Sequence, residues 1–434
     1  MHNDLYKAFW RWHFYAGVIV LPFLCWLAVT GGLYLFKPEI ERLIYRDWVT
    51  LSAARTPEVT SAMIAQVESQ TGGIVTQIER PAQSDESWRM RVEVGDDART
   101  AFVDPANGQV LGSTPEGGVM KIVKELHSLA ITGTVGNALI EIAAGWAIVL
   151  TVTGFVIWWP RQGQPAIALR GPAKRRRFWR DLHASTGAIA GAIILFLAVT
   201  GMPWSVFWGA QVRQIVTEQG WGKPKAPGPE PWQAQHRHGR SNAQKQALPW
   251  ALQEALPPTG HGMGNIGVDR AIAIAEGRGL QAPHTVTLPA EASHPYMISK
   301  VTQKAEDARA VYIEASSGRV LQDIGYTQFG KGAQIIEWGI ATHQGQEYGP
   351  ANRWVMLAGC LSILLLSGTA PVLWWKRRIR GSAVLPPNLA DQRRGRPALL
   401  IALALAIIYP LTGATILFVG LLDRLFRGSR ATTS

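Results

Sequence analysis

HFYAGVIVLPFLCWLAVTGGLYLF, from His13 to Phe36, is an apolar run long enough to cross a bilayer, and it begins with a histidine. HASTGAIAGAIILFLAVTGMPWSVF, from His183 to Phe207, repeats the design. Both read H-x3-G-x9-LAVTG, so His13, Gly17 and Leu27 to Gly31 match His183, Gly187 and Leu197 to Gly201 at identical offsets. Two long apolar helices that share a five-residue identity in one register indicate an internal duplication and a paired histidine site.

Working outward, the chain has five runs near membrane-spanning length, at 13–36, 138–159, 184–208, 352–375 and 398–422. The mean hydropathy is only +0.05, so large polar segments lie between them. The formal net charge is +12. Its placement argues against nucleic acid as a partner. Residues 160–181 hold seven Lys or Arg against the single acid Asp181, and 376–397 hold seven against Asp391. Residues 37–125 carry fourteen acids against ten Lys or Arg. Short basic loops alternating with longer, less basic ones place the basic loops and the N-terminus in the cytoplasm. The two long segments then face outward. The first run is too long for a signal peptide, lacks a small-x-small cleavage site and is followed by four more, so it reads as an uncleaved anchor. Cys25 and Cys360 both fall within spans and read as packing residues.

The outer segments repeat as well. In the first, Thr60 to Thr71 reads as an amphipathic helix, and Ile74 to Ile78 and Ser87 to Val94 alternate like strands. AFVDPANGQVLGS, Ala101 to Ser113, reads as strand, turn and strand. In the second, Gly267 to Gly277 is the helix, and Ala310 to Ile324 ends the module with Glu314-x-x-Ser317-Gly318 where the first has Asp104-x-x-Asn107-Gly108. A Pro-, Gly-, Gln- and His-rich insert at about 220–263 reads as a loop.

After each module comes a further histidine. His127 lies 31 residues before Trp158-Trp159, and His343 lies 31 before Trp374-Trp375. Both Trp pairs precede basic residues and read as an interfacial belt. The expected fold is a membrane all-α bundle of about five transmembrane helices in two parallel, pseudo-twofold repeats, with two small α+β modules on the outer side. The divisions are 1–36 (N-terminus and first helix), 37–126 (first module), 127–159 (His segment and second helix), 160–182 (basic loop), 183–208 (third helix), 209–335 (second module with its insert), 336–375 (His segment and fourth helix), 376–397 (basic loop) and 398–434 (fifth helix and tail).

Parallel repeats put equivalent histidines at equal depth. His13 should face His183 near the cytoplasmic surface, and His127 should face His343 near the outer one. Two imidazoles facing across a bundle suit a haem iron with one axial ligand on each side. Gly17 and Gly187, four residues on from their histidines, leave room for a flat ring against the helix. Gly31 and Gly201 are five turns on, roughly 27 Å further along the same face, at the depth of the outer pair. A zinc or di-metal site is disfavoured because the pairs have no nearby carboxylate or Cys. Glu141 and Glu337 come nearest and read as interfacial. His236, His238, His261 and Met263 in the insert form a loose accessory cluster that could take a soft metal and reads more simply as solvent-facing.

RWHFYAG with LAVTG, LHSLAITGTVG ending in WWPR, DLHASTG with LAVTG, HQGQEYG ending in WWKRR and the two module ends together resemble the PepSY-associated transmembrane proteins over nearly the whole chain, and within them the ferrisiderophore reductases. The resemblance implies a bacterial inner-membrane protein with haem b, two copies expected, and two periplasmic PepSY modules. It would carry electrons from a cytoplasmic flavin or flavoprotein outward, to reduce the iron(III) of a ferric siderophore and release it as the more labile iron(II). The 220–263 insert, Glu314 and Ser317 depart from that pattern. Two other classes stand beside this reading: a metal or siderophore permease with path histidines, and a non-enzymatic anchor whose modules bind partners.

Overall fold

The computed structural model describes residues 3–160, 165–219, 221–222, 248–253, 257–260, 262–291, 293–300, 303–378, 404 and 408–431. Four helices among them are long and apolar enough to cross a membrane. They are α1 (Asn3–Tyr34), α6 (Gly133–Trp158), α7 (Arg176–Gly201) and α11 (Gly349–Arg378). Each of α1 and α7 packs on both α6 and α11, so the four close into a ring with α1 diagonal to α7. The fifth apolar stretch is described mainly from residue 408 on. Its helix α12 (Pro410–Ala431) packs outside the ring against α6, where Trp146 Nε1 donates to Thr415 Oγ1 at 2.8 Å.

The repeated helices begin earlier than their apolar runs. α1 starts ten residues before His13 and α7 seven before His183. The two histidines are therefore set two to three turns inside their helices rather than heading them. The added turns carry Arg177 and Arg180, exposed basic side chains suited to a membrane surface, and Arg11, which is buried. His127 and His343 do not head spans either. His127 is the last residue of a short helix α5 (Gly118–His127), and His343 the last of α10 (Lys331–His343). Each chain then turns before entering its span.

The polar part is one body. Two short elements, α2 (Lys37–Ile44) and α3 (Arg46–Val49), lead from α1 to helix α4 (Thr60–Thr71) and strands β1 (Ile74–Arg80), β2 (Trp88–Val94), β3 (Asp97–Val103) and β4 (Val110–Pro115). After α7 and α8 (Phe207–Glu218), helix α9 (Val268–Gly277) precedes β5 (His284–Thr287), β6 (Tyr296–Lys300), β7 (Arg309–Ile313) and β8 (Val320–Gly325). Instead of two separate modules, the strands form a single eight-stranded antiparallel sheet, ordered β4-β3-β2-β1-β5-β6-β7-β8. β1 pairs with β5 through Gln77 with Thr287, Ile78 with Val286, Glu79 with Thr285 and Arg80 with His284. Joining removes one exposed edge from each half, the edges most open to stray pairing.

Both halves share one core. Met63 and Val67 of α4 and Ala271 and Ala275 of α9 pack on Ile78, Met90, Val286 and Ile298, all buried. Gly108 and Gly318 take positive φ, +69° and +77°, in the two equivalent turns, which is why both turns keep a glycine. The halves are also joined at a helix end. Val59 precedes α4 and offers no side-chain cap, and Asp269 of α9 supplies it from the other half: Thr60 N donates to Oδ1 at 2.7 Å and Ser61 N to Oδ2 at 3.2 Å. Those donors hold the Asp269 carboxyl below its ordinary pKa although burial pushes it up.

The cap gives a prediction. Asp269→Ala should cost about 1–2 kcal/mol, the usual worth of an N-cap carboxylate. It should lower the thermal midpoint of the full chain at pH 7. The difference should shrink as pH falls through the depressed pKa, because protonation removes the same interaction.

Candidate functional site

The four histidines meet in two pairs, one at each end of the helical ring. His13 on α1 and His183 on α7 face each other with ring centroids 6.3 Å apart and planes at 88°. His127 and His343 come together at the sheet-side ends of α1 and α7. A Cβ placed on Gly31 would lie 3.1 Å from His127 Cε1, and one on Gly201 would lie 3.7 Å from His343 Cε1. Trp204 meets the His343 ring edge-on at 6.2 Å.

All four rings are held through the same nitrogen. His127 Nδ1 lies 2.9 Å from Thr30 Oγ1, His343 Nδ1 2.8 Å from Thr200 Oγ1 and His183 Nδ1 2.8 Å from Thr369 Oγ1. His13 Nδ1 lies 3.0 Å from the Leu150 carbonyl and 3.3 Å from Thr153 Oγ1. The direction of these bonds follows from where each threonine spends its own proton. Thr30 donates to Trp26 O at 2.8 Å, Thr200 to Phe196 O at 2.6 Å, Thr153 to Val149 O at 2.7 Å and Thr369 to Leu366 O at 3.0 Å. A hydroxyl whose single proton is committed to a carbonyl can only accept from a neighbouring ring. Each imidazole therefore carries its proton on Nδ1, which leaves the Nε2 lone pair available as a ligand.

Burial keeps the outer two rings neutral. It pushes His127 down to about 4, and it pushes His343 down to about 3 with help from the charge repulsion of His127. The dipeptide Thr-Gly recurs at three of the rings. Thr30-Gly31 serves His127, Thr200-Gly201 serves His343 and Thr153-Gly154 serves His13, whose Cε1 lies 3.1 Å from a Cβ placed on Gly154. Thr369 follows Gly368 in reverse order, and a Cβ on Gly368 would meet open space. The threonines hold the rings, and the glycines let the ring edges approach the helix.

Two facing imidazoles suit an ion that brings its remaining donors with it. A metal–imidazole bond is about 2.0–2.1 Å and the nitrogen lies roughly 1.1 Å from the ring centroid, so two such ligands on opposite sides of one ion stand about 6.2–6.4 Å apart. The 6.3 Å of the His13–His183 pair fits. Among the described residues no group of three or more His, Cys, Asp or Glu is placed to hold a metal by protein ligands alone.

Gly17 and Gly187 do not touch their histidines. A Cβ there would meet Leu150 Cδ1 at 3.7 Å and Leu366 Cδ2 at 3.9 Å, ordinary contacts. His236, His238 and His261 lie outside the described residues, and Met263 is exposed. Glu141 and Glu337 are not interfacial but buried. Glu141 accepts from Phe207 N at 2.9 Å and Trp208 N at 3.2 Å, capping α8. Glu337 accepts from Ala251 N at 2.9 Å, and burial pushes its carboxyl up to about 7. The sequence reading passed over Thr30, Thr153, Thr200, Thr369 and Gly154. The signal was present: the threonine of LAVTG is kept in both copies although an apolar helix has no need of it, and Val152-Thr153-Gly154 repeats its ending.

The PepSY-associated TM region family model matches residues 10–377, a stretch that includes all four histidines and the whole sheet. The chain belongs to this family. No curated protein matches it. As a member of the PepSY-associated TM region family with four spanning helices, it is a multi-pass membrane protein.

Two predictions follow from the contacts. Thr369→Val removes the one hydrogen bond described for His183 Nδ1, whereas Thr153→Val leaves His13 bonded to the Leu150 carbonyl. An orphaned buried donor costs about 1–3 kcal/mol, so Thr369→Val should lower the thermal midpoint more than Thr153→Val. The raised pKa of Glu337 has the opposite pH sense to that of Asp269. Its contribution is fully present below about 4.5 and is lost as pH rises through about 7. Glu337→Gln, which keeps an acceptor for Ala251, should flatten the stability–pH profile between those limits.

Proposed function

We propose that this chain is a transmembrane electron carrier that holds one haem b at each histidine level. It takes electrons from a flavin or flavoprotein on the cytoplasmic, His13 side and delivers them to a ferric siderophore on the periplasmic, sheet side of a bacterial inner membrane. The observation that carries this reading is the set of four histidines, paired at both ends of one helical ring, each bonded to a threonine or carbonyl through Nδ1 so that Nε2 is left to bind. Haem bound there would supply reversible one-electron chemistry.

The chain's own residues provide the rest. His13 and His183 would hold the group of the inner level, and His127 and His343 that of the outer. Thr30, Thr153, Thr200 and Thr369 fix the tautomer and aim each ring, and by accepting the Nδ1–H hydrogen bond they raise ligand basicity. Buried apolar side chains between the levels, among them Ala28, Ala190, Ile194 and Ile363, exclude water from the middle of the ring. Gly17, Gly187 and Gly368 leave space beside the inner level that side chains would otherwise fill.

Single-histidine variants test the assignment. His13→Ala and His127→Ala should each lose one of two haems and leave the other spectrally intact. Thr30→Val, which keeps the ligand and removes its acceptor, should weaken haem retention at the outer level about 10–100-fold. Haem content and visible spectra unchanged in both alanine variants would refute the ligand assignment.

A further inference from the structure

Residues 165–175, in the connection between α6 and α7, double back and are pinned along the outside of α7. Trp158 Nε1, at the end of α6, donates to Ala166 O at 2.8 Å. Ala168 bonds Ser185 twice: its N–H donates to Oγ at 3.1 Å, and Oγ donates to its carbonyl at 2.9 Å. Arg170 forks onto Asp181, Nε to Oδ2 at 2.7 Å and Nη2 to Oδ1 at 3.2 Å. Asp181 and Ser185 are four residues apart and so share one face of α7. Each is two residues from His183, which is about 200° around the helix. His183 turns into the ring to meet His13, so the pinned segment runs along the ring's outer face.

The segment presents two kinds of surface at two depths. Ser185 stands at the start of the apolar run 184–208, where the hydrocarbon layer begins. Ile167 and Leu169, on either side of the residue that Ser185 holds, are each 58 % exposed, and Trp159 is 70 % exposed. Apolar side chains that stand out of the bundle at this depth belong against acyl chains. The cations lie nearer the membrane surface. Lys174, Arg175 and Arg177 are exposed, and Arg177 precedes Ser185 by eight residues, roughly 12 Å along α7. Lys376, near the end of α11, joins them by donating to Lys174 O at 2.9 Å. Their charge is not balanced. Asp181 is already shared by Arg170 and Arg180, and the first turn of α7 holds no acid. Among the described side chains, no carboxylate lies within salt-bridge distance of Lys174, Arg175, Arg177 or Lys376. Topology alone asks only for the presence of positive charge. Here the backbone that carries the charge is also fixed in place, which gives the cations one arrangement.

We infer that Ile167, Leu169, Lys174, Arg175, Arg177 and Lys376 form a binding surface for an anionic phospholipid in the leaflet on the His13 side of the membrane. The apolar pair lies along the acyl chains, and the cations, whose long stems reach across the headgroup layer, take the phosphate. A soluble acidic protein would meet the cations but not the apolar pair, which stands at the depth of the hydrocarbon. The surface goes beyond the electron-carrier reading and does not depend on haem. Because Asp181 and Ser185 flank His183, a lipid that steadies this segment also steadies the turn of α7 from which that ring projects.

The test uses the full-length protein in nonionic detergent, with lipid binding read by native mass spectrometry. The probes are phosphatidylglycerol and phosphatidylcholine with identical acyl chains. The wild type should bind phosphatidylglycerol about tenfold or more tightly than phosphatidylcholine. Arg175→Gln with Arg177→Gln should weaken phosphatidylglycerol binding about tenfold and leave phosphatidylcholine within about twofold. Arg175→Lys with Arg177→Lys should keep the preference. Lys304→Gln with Lys331→Gln, an equal loss of charge on the sheet side, should change neither lipid. Ile167→Ser with Leu169→Ser should weaken both lipids by a similar factor. Glycerol phosphate, which has the phosphate without the acyl chains, should not displace the lipid. A wild-type preference in the double glutamine variant would overturn the proposal, as would an equal loss in the sheet-side control. Displacement by glycerol phosphate at the lipid's own affinity would make this a free-phosphate site and overturn it too. So would a double glutamine variant that keeps the lipid preference and loses binding to an acidic flavodoxin, since the cations would then dock protein.

Discussion

An imidazole N–H inside a lipid-facing bundle must find an acceptor, and the structure is arranged around meeting that requirement four times. Each Nδ1 is bonded to a group on another helix: α1 to α6, α5 to α1, α7 to α11 and α10 to α7. The threonines can accept because their own protons go back to the preceding turn. The bonds that orient the rings are thus also bonds that tie helices together. Losing one would loosen the fold and mis-aim a histidine in the same step. The neighbouring glycine of the Thr-Gly pairs has a related purpose, since close approach of ring to backbone is what puts Nδ1 within reach of a side chain as short as threonine.

The sheet applies the same economy of joining. Two half-sheets, each unable to cover a full core alone, share one core and one helix cap across the duplication, through the β1–β5 pairing and Asp269. For the site, α2 leaves the end of α1 toward the sheet and α5 returns from the sheet to pack on α1, so the outer histidines lie where bundle and sheet meet.

Much of this was legible in the sequence, and for specific reasons. Spans, strands and turns follow from local periodicity, and Thr60–Thr71 as α4 and the turns at Gly108 and Gly318 needed nothing beyond it. The pairing of His13 with His183 and of His127 with His343 followed from the duplication, because equal offsets imply equal depth. What could not be read was long-range and non-repeating. Local residues do not say that β1 will pair with β5, nor that Asp269 will cap a helix more than two hundred residues away. The threonines were hidden differently. They sit in plain view within LAVTG, but an apolar helix tolerates a threonine that bonds its own backbone, so only the neighbouring ring reveals its purpose. Glu141 and Glu337 looked interfacial because a charge near a span end usually is, and each instead meets backbone donors that a sequence does not display.

The central claim is that four histidines hold two haems on one chain. The measurement that bears on it most directly is the haem-to-protein ratio of the wild-type chain purified after expression with ample haem, read beside its visible spectrum before and after dithionite. The account predicts a ratio of two and a Soret band that shifts on reduction. A colourless protein, or a ratio of one that adding haem does not raise, would contradict it.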